Sequence, residues 1–596
     1  MNFEQEVLKK KYCHPGESTW EDVCKRVSNI LGDQMPEVKE PLYDMMINKR
    51  YSPAGSVLAN LGTNLSLSNC YFIPIEEDSI EGIFDFMKYA ARTFSYRGGV
   101  GTDISILRYK SAPVNNAAKF SSGSVSFLPL ISTMILSIGQ GSDEKGNIVA
   151  RRGAGIATIN DDHPDVLNFI KCKTYPDEVF GTDIFKAIPN DVSGLNLSVK
   201  ISDEFMSAVI RDKEWELIWK GEVINKVKAK EMWDLIAECA HKSGDPGILF
   251  WDRAKEFSTT KFYPGGQPAG VNPCGEQVLG NWGNCNLSSF NLLAYVDKEG
   301  KFDWNLFKKD IPTAVLTADT IITLNEHPLE EQTAMDYVLS KIGIGITGLA
   351  DALAKMGIKY SSQAARDFAN KIMKTITLIG FDTSADLSRI IGPCRAMAEP
   401  DDREEFLKQE FVAKFPEQLK KKIKKYGLRN TAMTTIAPNG SLSIVLGNVT
   451  SGCEPLFQYW YERKSRTTAK IHRISHKPMG LTIPEENYET AEELHWKDRI
   501  AMQAALQEWT TDSISSTINL HSNTSPEEIQ KIYMEAWKQG LKGITIYRDK
   551  SKDVQVLNKI CDEETRPSEI TYNCSPKRPK ELPCKIHHCQ LRGEPW

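Results

Sequence analysis

From Tyr51 onward the chain switches repeatedly between two textures, and this alternation is what most constrains its fold. "SPAGSVLANLGTNLSLSNCYFIPI" carries short apolar runs broken by Gly, Asn and Ser, and "IEGIFDFMKYAARTF" then repeats apolar residues at helical spacing. "GLNLSVKIS" and "AMTTIAPNGSLSIVLG" read as strands leading into glycine-bearing loops. "EEFLKQEFVAKFPEQLKKKIKKYG" reads as one helix with a lysine-rich last turn, stopped by Gly427. Such alternation predicts an α/β architecture. Ahead of it, "WEDVCKRVSNIL" and "VKEPLYDMMINKRY" space apolar residues three and four apart, which predicts a helical lead-in over residues 1–50. After about Leu557 the pattern dissolves into a tail rich in Pro, Cys and charge.

With 596 residues the chain exceeds the size at which single cores stop growing, so several domains or one large barrel is expected. A net charge of -5 gives no general attraction to nucleic acid. No apolar run reaches the roughly 18 residues that cross a bilayer, and "MNFEQEVLKKKYC" lacks a signal-peptide core, so a cytoplasmic location and no membrane partner are expected. In that compartment 13 cysteines are kept reduced, which leaves most as small buried residues and a few for chemistry.

"VNPCGEQVLGNWGNC" sets Cys274 between the carboxamide of Asn272 and the carboxylate of Glu276, a polar setting unlike that of a packing cysteine. If the segment is extended, the three alternate side chains face one ligand; the same short pattern also suits a surface loop. "APNGSLS", with Pro438, Asn439, Gly440, Ser441 and Ser443, follows an apolar run and suits either a phosphate cradle or an ordinary turn. "SYRGGVGTDISILR" and "ARRGAGIATINDDHPDVL" pair glycines with arginine without forming a dinucleotide fingerprint, and read as ligand loops or tight turns. Six Lys or Arg between Arg463 and Lys477 read first as a solvated face and second as a nucleic-acid surface. In the tail, Cys584, His587, His588 and Cys589, with Cys561 and Cys574, match no strong zinc spacing, and a redox or mobile role is equally open.

Taken together, ten segments in order resemble the catalytic subunit of ribonucleotide reductase: "LSNCYF", "RGGVG", "RRGAG…DHPDVLNFI", "LNLSV", "NPCGE", "CNLSSFNL", "IGIGITGLADAL", "APNGSLS", "SGCEP" and "KGITIYRD". The resemblance implies a ten-stranded α/β barrel over 51–557 with a central finger loop, preceded by the helical segment 1–50 and followed by the tail 558–596. It implies that Cys274, buried at the finger tip, becomes a thiyl radical that takes the 3'-hydrogen of a ribonucleotide. Glu276 then acts as general base and Asn272 holds the ribose. Cys70 and Cys285 match the family's reducing pair and would need thioredoxin or a glutaredoxin-like protein to reset them. The substrate phosphates would rest on 438–443, with Gly55 and Ser56 also at the substrate site. Asp78, Arg151 and Arg152 fall where the family binds a dNTP or ATP effector, and a homodimer is implied.

Class I subunits of that family carry an adjacent tyrosine pair near the barrel's end, whereas "GITIYRDKSK" has Tyr547 followed by Arg548. The segment, and "KRPKELPCKIHH" in the tail, resemble the class II enzymes, which implies adenosylcobalamin as cofactor and a ribonucleotide substrate, taken as a diphosphate, reduced for DNA synthesis. Barrel motifs that begin by residue 52 leave no room for an ATP cone, and the chain stops where class II tails usually continue, so a separate polypeptide carrying the rest is one expectation. The alternatives are a class I-type subunit served by a radical-generating metalloprotein, and an inactive nucleotide-binding regulator.

Overall fold

The computed structural model describes residues 2–138, 153–181, 191–465, 470–549, 551 and 557–559. Arg151, Arg152 and the tail residues Cys561, Cys574, Cys584, His587, His588 and Cys589 lie outside the described residues.

Three helices open the chain, Phe3–Lys11, Trp20–Gln34 and Pro36–Ile47. Asn2 and Thr19 start the first two through capping boxes closed by Gln5 and Asp22, so side chains satisfy amide groups that a helix start leaves without partners. The second buries Val23, Val27 and Leu31, one stripe at four-residue spacing. These residues share a core with helices Trp304–Leu324 and Gln363–Ile391 and with Ile342, Ile344 and Ile346. Arg50 bonds Asp310 at 2.8 Å inside this layer.

A ten-stranded sheet runs through the rest. Cys70–Phe72, Gly99–Asp103, Gly155–Asn160, Leu195–Ile201 and Gly247–Phe250 form one parallel set. Asn284–Asn291 with Ile342–Thr347, and Thr517–Leu520 with Gly543–Arg548, are parallel pairs that run against it, joined at Cys70–Phe72 and at Gly247–Phe250. Tyr51–Pro53 lies antiparallel beside Asn284–Asn291. Strand Ile342–Thr347 is buried throughout, as a strand covered on both faces should be. The first parallel set has its own core, in which Ala157, Leu197 and Val199 meet Phe86, Phe205 and Trp233 of flanking helices.

Two readings of the sequence are corrected. The 432–443 segment forms no regular strand; isolated bridges link Thr434 to Ile344 and Ile436 to Ile514. Thr511 Oγ1 accepts from the Thr434 amide at 2.8 Å and donates to its carbonyl at 2.9 Å, so side-chain bonds replace ladder bonds. The lysine-rich stretch is three helices, Pro400–Leu407, Glu410–Ala413 and Glu417–Tyr426; Pro416, with no amide hydrogen to continue a helix, accounts for the break before the third. Gly427 does end the last one, at φ +73 with its amide donating to Ile423. Among the described residues the sheet ladder does not close on itself; the two isolated bridges span the interval between Ile342–Thr347 and the approach to Thr517–Leu520.

A two-stranded finger, Gly270–Val271 paired with Val278–Leu279, packs against the first strands of this sheet. The approach is so close that a Cβ on Gly101 would sit 1.7 Å from the Val271 carbonyl oxygen, and one on Gly270 would sit 2.1 Å from the Phe72 ring. Gly101→Ala should therefore destabilise the protein by about 1–3 kcal/mol in denaturant unfolding, since a backbone carbonyl cannot rotate away as a side chain does. An unchanged unfolding midpoint would contradict this packing.

Candidate active site

The finger tip is a turn rather than an extended run. The Gly275 amide donates to the Asn272 carbonyl at 2.9 Å, Pro273 occupies the second position, where its fixed φ is favoured, and Gly275 takes φ +74. The consequence is a division of side chains. Asn272 and Glu276 are buried, whereas Cys274, at the corner, is exposed. The buried thiol implied by the family resemblance is thus replaced by one that faces open space.

On the buried side, Asn272 Nδ2 donates to Cys70 Sγ at 3.1 Å, and the Cys70 thiol donates to Glu276 Oε1 at 3.8 Å. The Asn272 Oδ1 accepts from the Gln277 amide at 2.9 Å, which locks the carboxamide in that orientation. Cys70 and Cys285, far apart in sequence, are direct Cα partners in the antiparallel register. Opposed residues of such a pair lie about 4.5–5.5 Å apart at Cα, inside the roughly 4.4–6.8 Å range that a disulfide spans. One surface therefore carries a carboxylate, a carboxamide and a backbone geometry suited to two-electron thiol oxidation.

On the open side, Cys274 lines a cavity of about 470 Å³ together with Asn196, Asp245, Thr517, Thr545 and Tyr547. Tyr547 is half-buried, and burial, with Asp549 second, raises its phenol above the ordinary value. The next residue, Arg548, is committed elsewhere: its Nε donates to the His241 carbonyl and its Nη1 to that of Ser522, both at 2.9 Å.

Charges absent from the sequence reading hold the finger. Lys341 Nζ donates to the Val278 carbonyl at 2.7 Å and to Asp512 at 2.9 Å, and Asp512 accepts from the Val278 amide at 3.3 Å. Lys542 donates to the Thr511 and Asp512 carbonyls, and burial pulls its ammonium down to about 7. Lys200 Nζ donates to Ala269 at 2.6 Å, Asn196 to Pro273 at 3.0 Å, and the Ser513 amide and Thr435 hydroxyl both donate to the Glu276 carbonyl. The one available signal was Lys341 itself, a charge directly before the strand sequence IGIGIT.

Of the other expected residues, Asn439 takes φ +51 and donates to Ser289 Oγ at 2.8 Å, setting the 438–443 loop against strand Asn284–Asn291. Pro438 accepts from Ser451, and the Ser443 amide donates to Asn439. Ser56 Oγ donates to Leu67, and Gly55 faces Tyr12, so the end of the first helix meets both the 55–56 and 438–443 segments. Asp78 is not part of this assembly: both its oxygens accept from Arg108 at 2.9 Å, just before helix Ile80–Ser95.

The family model described as "Ribonucleotide reductase, barrel domain" matches residues 68–547, and "Ribonucleotide reductase, all-alpha domain" matches residues 2–66. The chain belongs to the ribonucleotide reductase large-subunit family. It is 31% identical, over 88% of its length and 67% of the relative's, to the vitamin B12-dependent ribonucleoside-diphosphate reductase of Thermoplasma acidophilum. To the protein of the same name from Mycobacterium tuberculosis it is 30% identical, over 86% of this chain and 72% of that one. The ribonucleoside-diphosphate reductase large subunit of Caenorhabditis elegans is 26% identical over 87% of this chain and 71% of that protein.

Thiol reactivity reports this arrangement. Burial pushes Cys172, Cys394 and Cys453 up to about 12 and Cys239 to about 11, so these thiols carry almost no thiolate at pH 8, whereas Cys274 is exposed. Brief iodoacetamide treatment of the native protein at pH 8, followed by peptide mass mapping, should label Cys274 and spare those four until the chain is unfolded. Labelling of Cys394 or Cys453 at the rate of Cys274 would contradict it.

Proposed function

We propose that this chain is the catalytic subunit of an adenosylcobalamin-dependent ribonucleotide reductase that converts ribonucleoside diphosphates to 2'-deoxyribonucleotides. The observation that carries this reading is the register opposing Cys70 to Cys285 beside Asn272 and Glu276, with Cys274 at the turn between that cluster and the cavity. The named relatives that depend on vitamin B12 support the cofactor, and the two isolated bridges support a ten-stranded barrel whose last gap they cross.

The cavity fits the adenosyl arm of that cofactor: about 470 Å³ of open space borders the Cys274 thiol, and Asn196, Asp245, Thr517 and Thr545 offer donors and acceptors to hold a nucleoside. When bound, adenosylcobalamin supplies one-electron oxidation by homolysis of its cobalt–carbon bond. The chain's own residues do the rest. Cys274, as a thiyl radical, takes the 3'-hydrogen of the ribose, and Glu276 receives the 3'-hydroxyl proton. The 2'-hydroxyl leaves as water. Cys70 and Cys285 together give up two electrons and two protons and join as a disulfide, and Cys274 returns its hydrogen to C3'. Asn272 orients the reacting ribose, a matter of position more than of charge. A thiol reductant of the thioredoxin or glutaredoxin kind resets the pair, and Asp78 with Arg151 and Arg152 receives a dNTP effector in a homodimer.

Against a class I-type relay stands the sequence itself, in which Tyr547 is followed by Arg548, whose guanidinium is committed to the His241 and Ser522 carbonyls. An anaerobic assay of CDP with dithiothreitol, with and without adenosylcobalamin, separates the two: deoxynucleotide should form only with the cofactor. Cys274→Ser should bind CDP and form none, and Glu276→Gln should lower kcat by about 100- to 10,000-fold. Product from Cys274→Ser, or turnover that needs a second protein and no cobalamin, would refute the proposal.

A further inference from the structure

Two cations converge on the 438–443 loop from parts of the chain that the catalytic reading does not use. Lys11, the last residue of helix Phe3–Lys11, donates to Ser441 Oγ at 2.7 Å. Arg463, on strand Trp460–Ser465, brings Nη2 to 3.4 Å from the Gly440 carbonyl. The helix also meets the strand paired with Trp460–Ser465, since the centroid of the Phe3 ring lies 4.2 Å from that of His472 on Lys470–Ser475.

Arg463 is unusual in its charge balance. It is partly exposed beside the loop, its Nη2 lies 3.9 Å from where a Cβ on Gly440 would stand, and no carboxylate among the described residues lies within ion-pair distance of it. Beside it, the Gly440 and Ser441 amides meet no acceptor among the described residues, and Gly440 has no side chain to keep an anion away from them. Arg463 also begins the basic run that the sequence offered as a solvated face or a nucleic-acid surface, and here it turns toward the loop.

We propose that Lys11 and Arg463 form a two-cation clamp on the terminal phosphate of the substrate, so that this site selects a ribonucleoside diphosphate over the monophosphate and the nucleoside. The inference rests on the proposed reading of the 438–443 loop as the substrate's phosphate cradle. It gives the N-terminal helix and strand Trp460–Ser465 a direct part in recognition: the ammonium and guanidinium add charge-assisted hydrogen bonds to those of the backbone amides.

Calorimetric titration with CDP, CMP and cytidine tests it without turnover and with little interference from the effector site, whose ligands are dNTPs or ATP. The unaltered protein should bind CDP more tightly than CMP or cytidine. Lys11→Met and Arg463→Gln should each weaken CDP by about tenfold or more, the scale of one charge-assisted bond, while cytidine is unaffected. Arg463→Lys should recover part of the loss. Equal weakening of all three ligands, or unchanged CDP binding, overturns the clamp. Lys11→Met, at a helix end, gives the answer even if changes at Arg463 disturb folding. Failure of the unaltered protein to bind CDP overturns the underlying substrate reading instead.

Discussion

The buried ion pair between Lys341 and Asp512 directs its hydrogen bonds at a single residue of the finger, Lys341 to the Val278 carbonyl and Asp512 to the Val278 amide. Both charges would be costly to bury alone, and breaking such a pair by removing one partner typically costs about 3–5 kcal/mol. Here the pair anchors one root of the finger while Lys200 holds the other through the Ala269 carbonyl. With both roots fixed, and with glycine at positions 101 and 270 allowing the backbone against the sheet, the 272–277 turn has one height relative to Cys70. The chemistry proposed for Cys274 and Glu276 depends on that height.

The turn also separates two environments. Asn272, Glu276 and Cys70 form a buried, hydrogen-bonded group, whereas Cys274 borders an open cavity with Tyr547 and Asp245. The mechanism proposed for Cys274, oxidation from one side and reaction with a ribose on the other, suits such a boundary position. In the proposed mechanism bound ligands fill the cavity at Cys274, because a thiyl radical must be shielded from other reductants.

The α/β layering was legible in the sequence because alternating textures reflect burial directly: Leu195–Ile201 and helix Ile80–Ser95 lie where those patterns predicted. The 432–436 segment was not, since its threonines carry strand propensity while the Thr434 hydroxyl accepts from the Thr511 amide and the Thr435 hydroxyl donates to the Ser513 carbonyl instead of supporting a ladder. Helix periodicity likewise ran across Pro416 and concealed a break. At the site, the residues of the tip stood out by their polar company, but nothing local could join Cys70 to Cys285; the family resemblance paired them, and the antiparallel register is a property of the whole sheet. Asp512 and Lys341 escaped for the same reason, because a charge reveals its purpose only through partners that are distant in sequence.

The most direct measurement is the state of those two cysteines after one catalytic event. Protein reduced, freed of reductant and mixed anaerobically with adenosylcobalamin and limiting CDP can be quenched with iodoacetamide and mapped by peptide mass. One Cys70–Cys285 disulfide for each deoxynucleotide formed is the predicted result. Deoxynucleotide formed while both cysteines remain open to alkylation, or a disulfide that maps to another pair, would contradict the account.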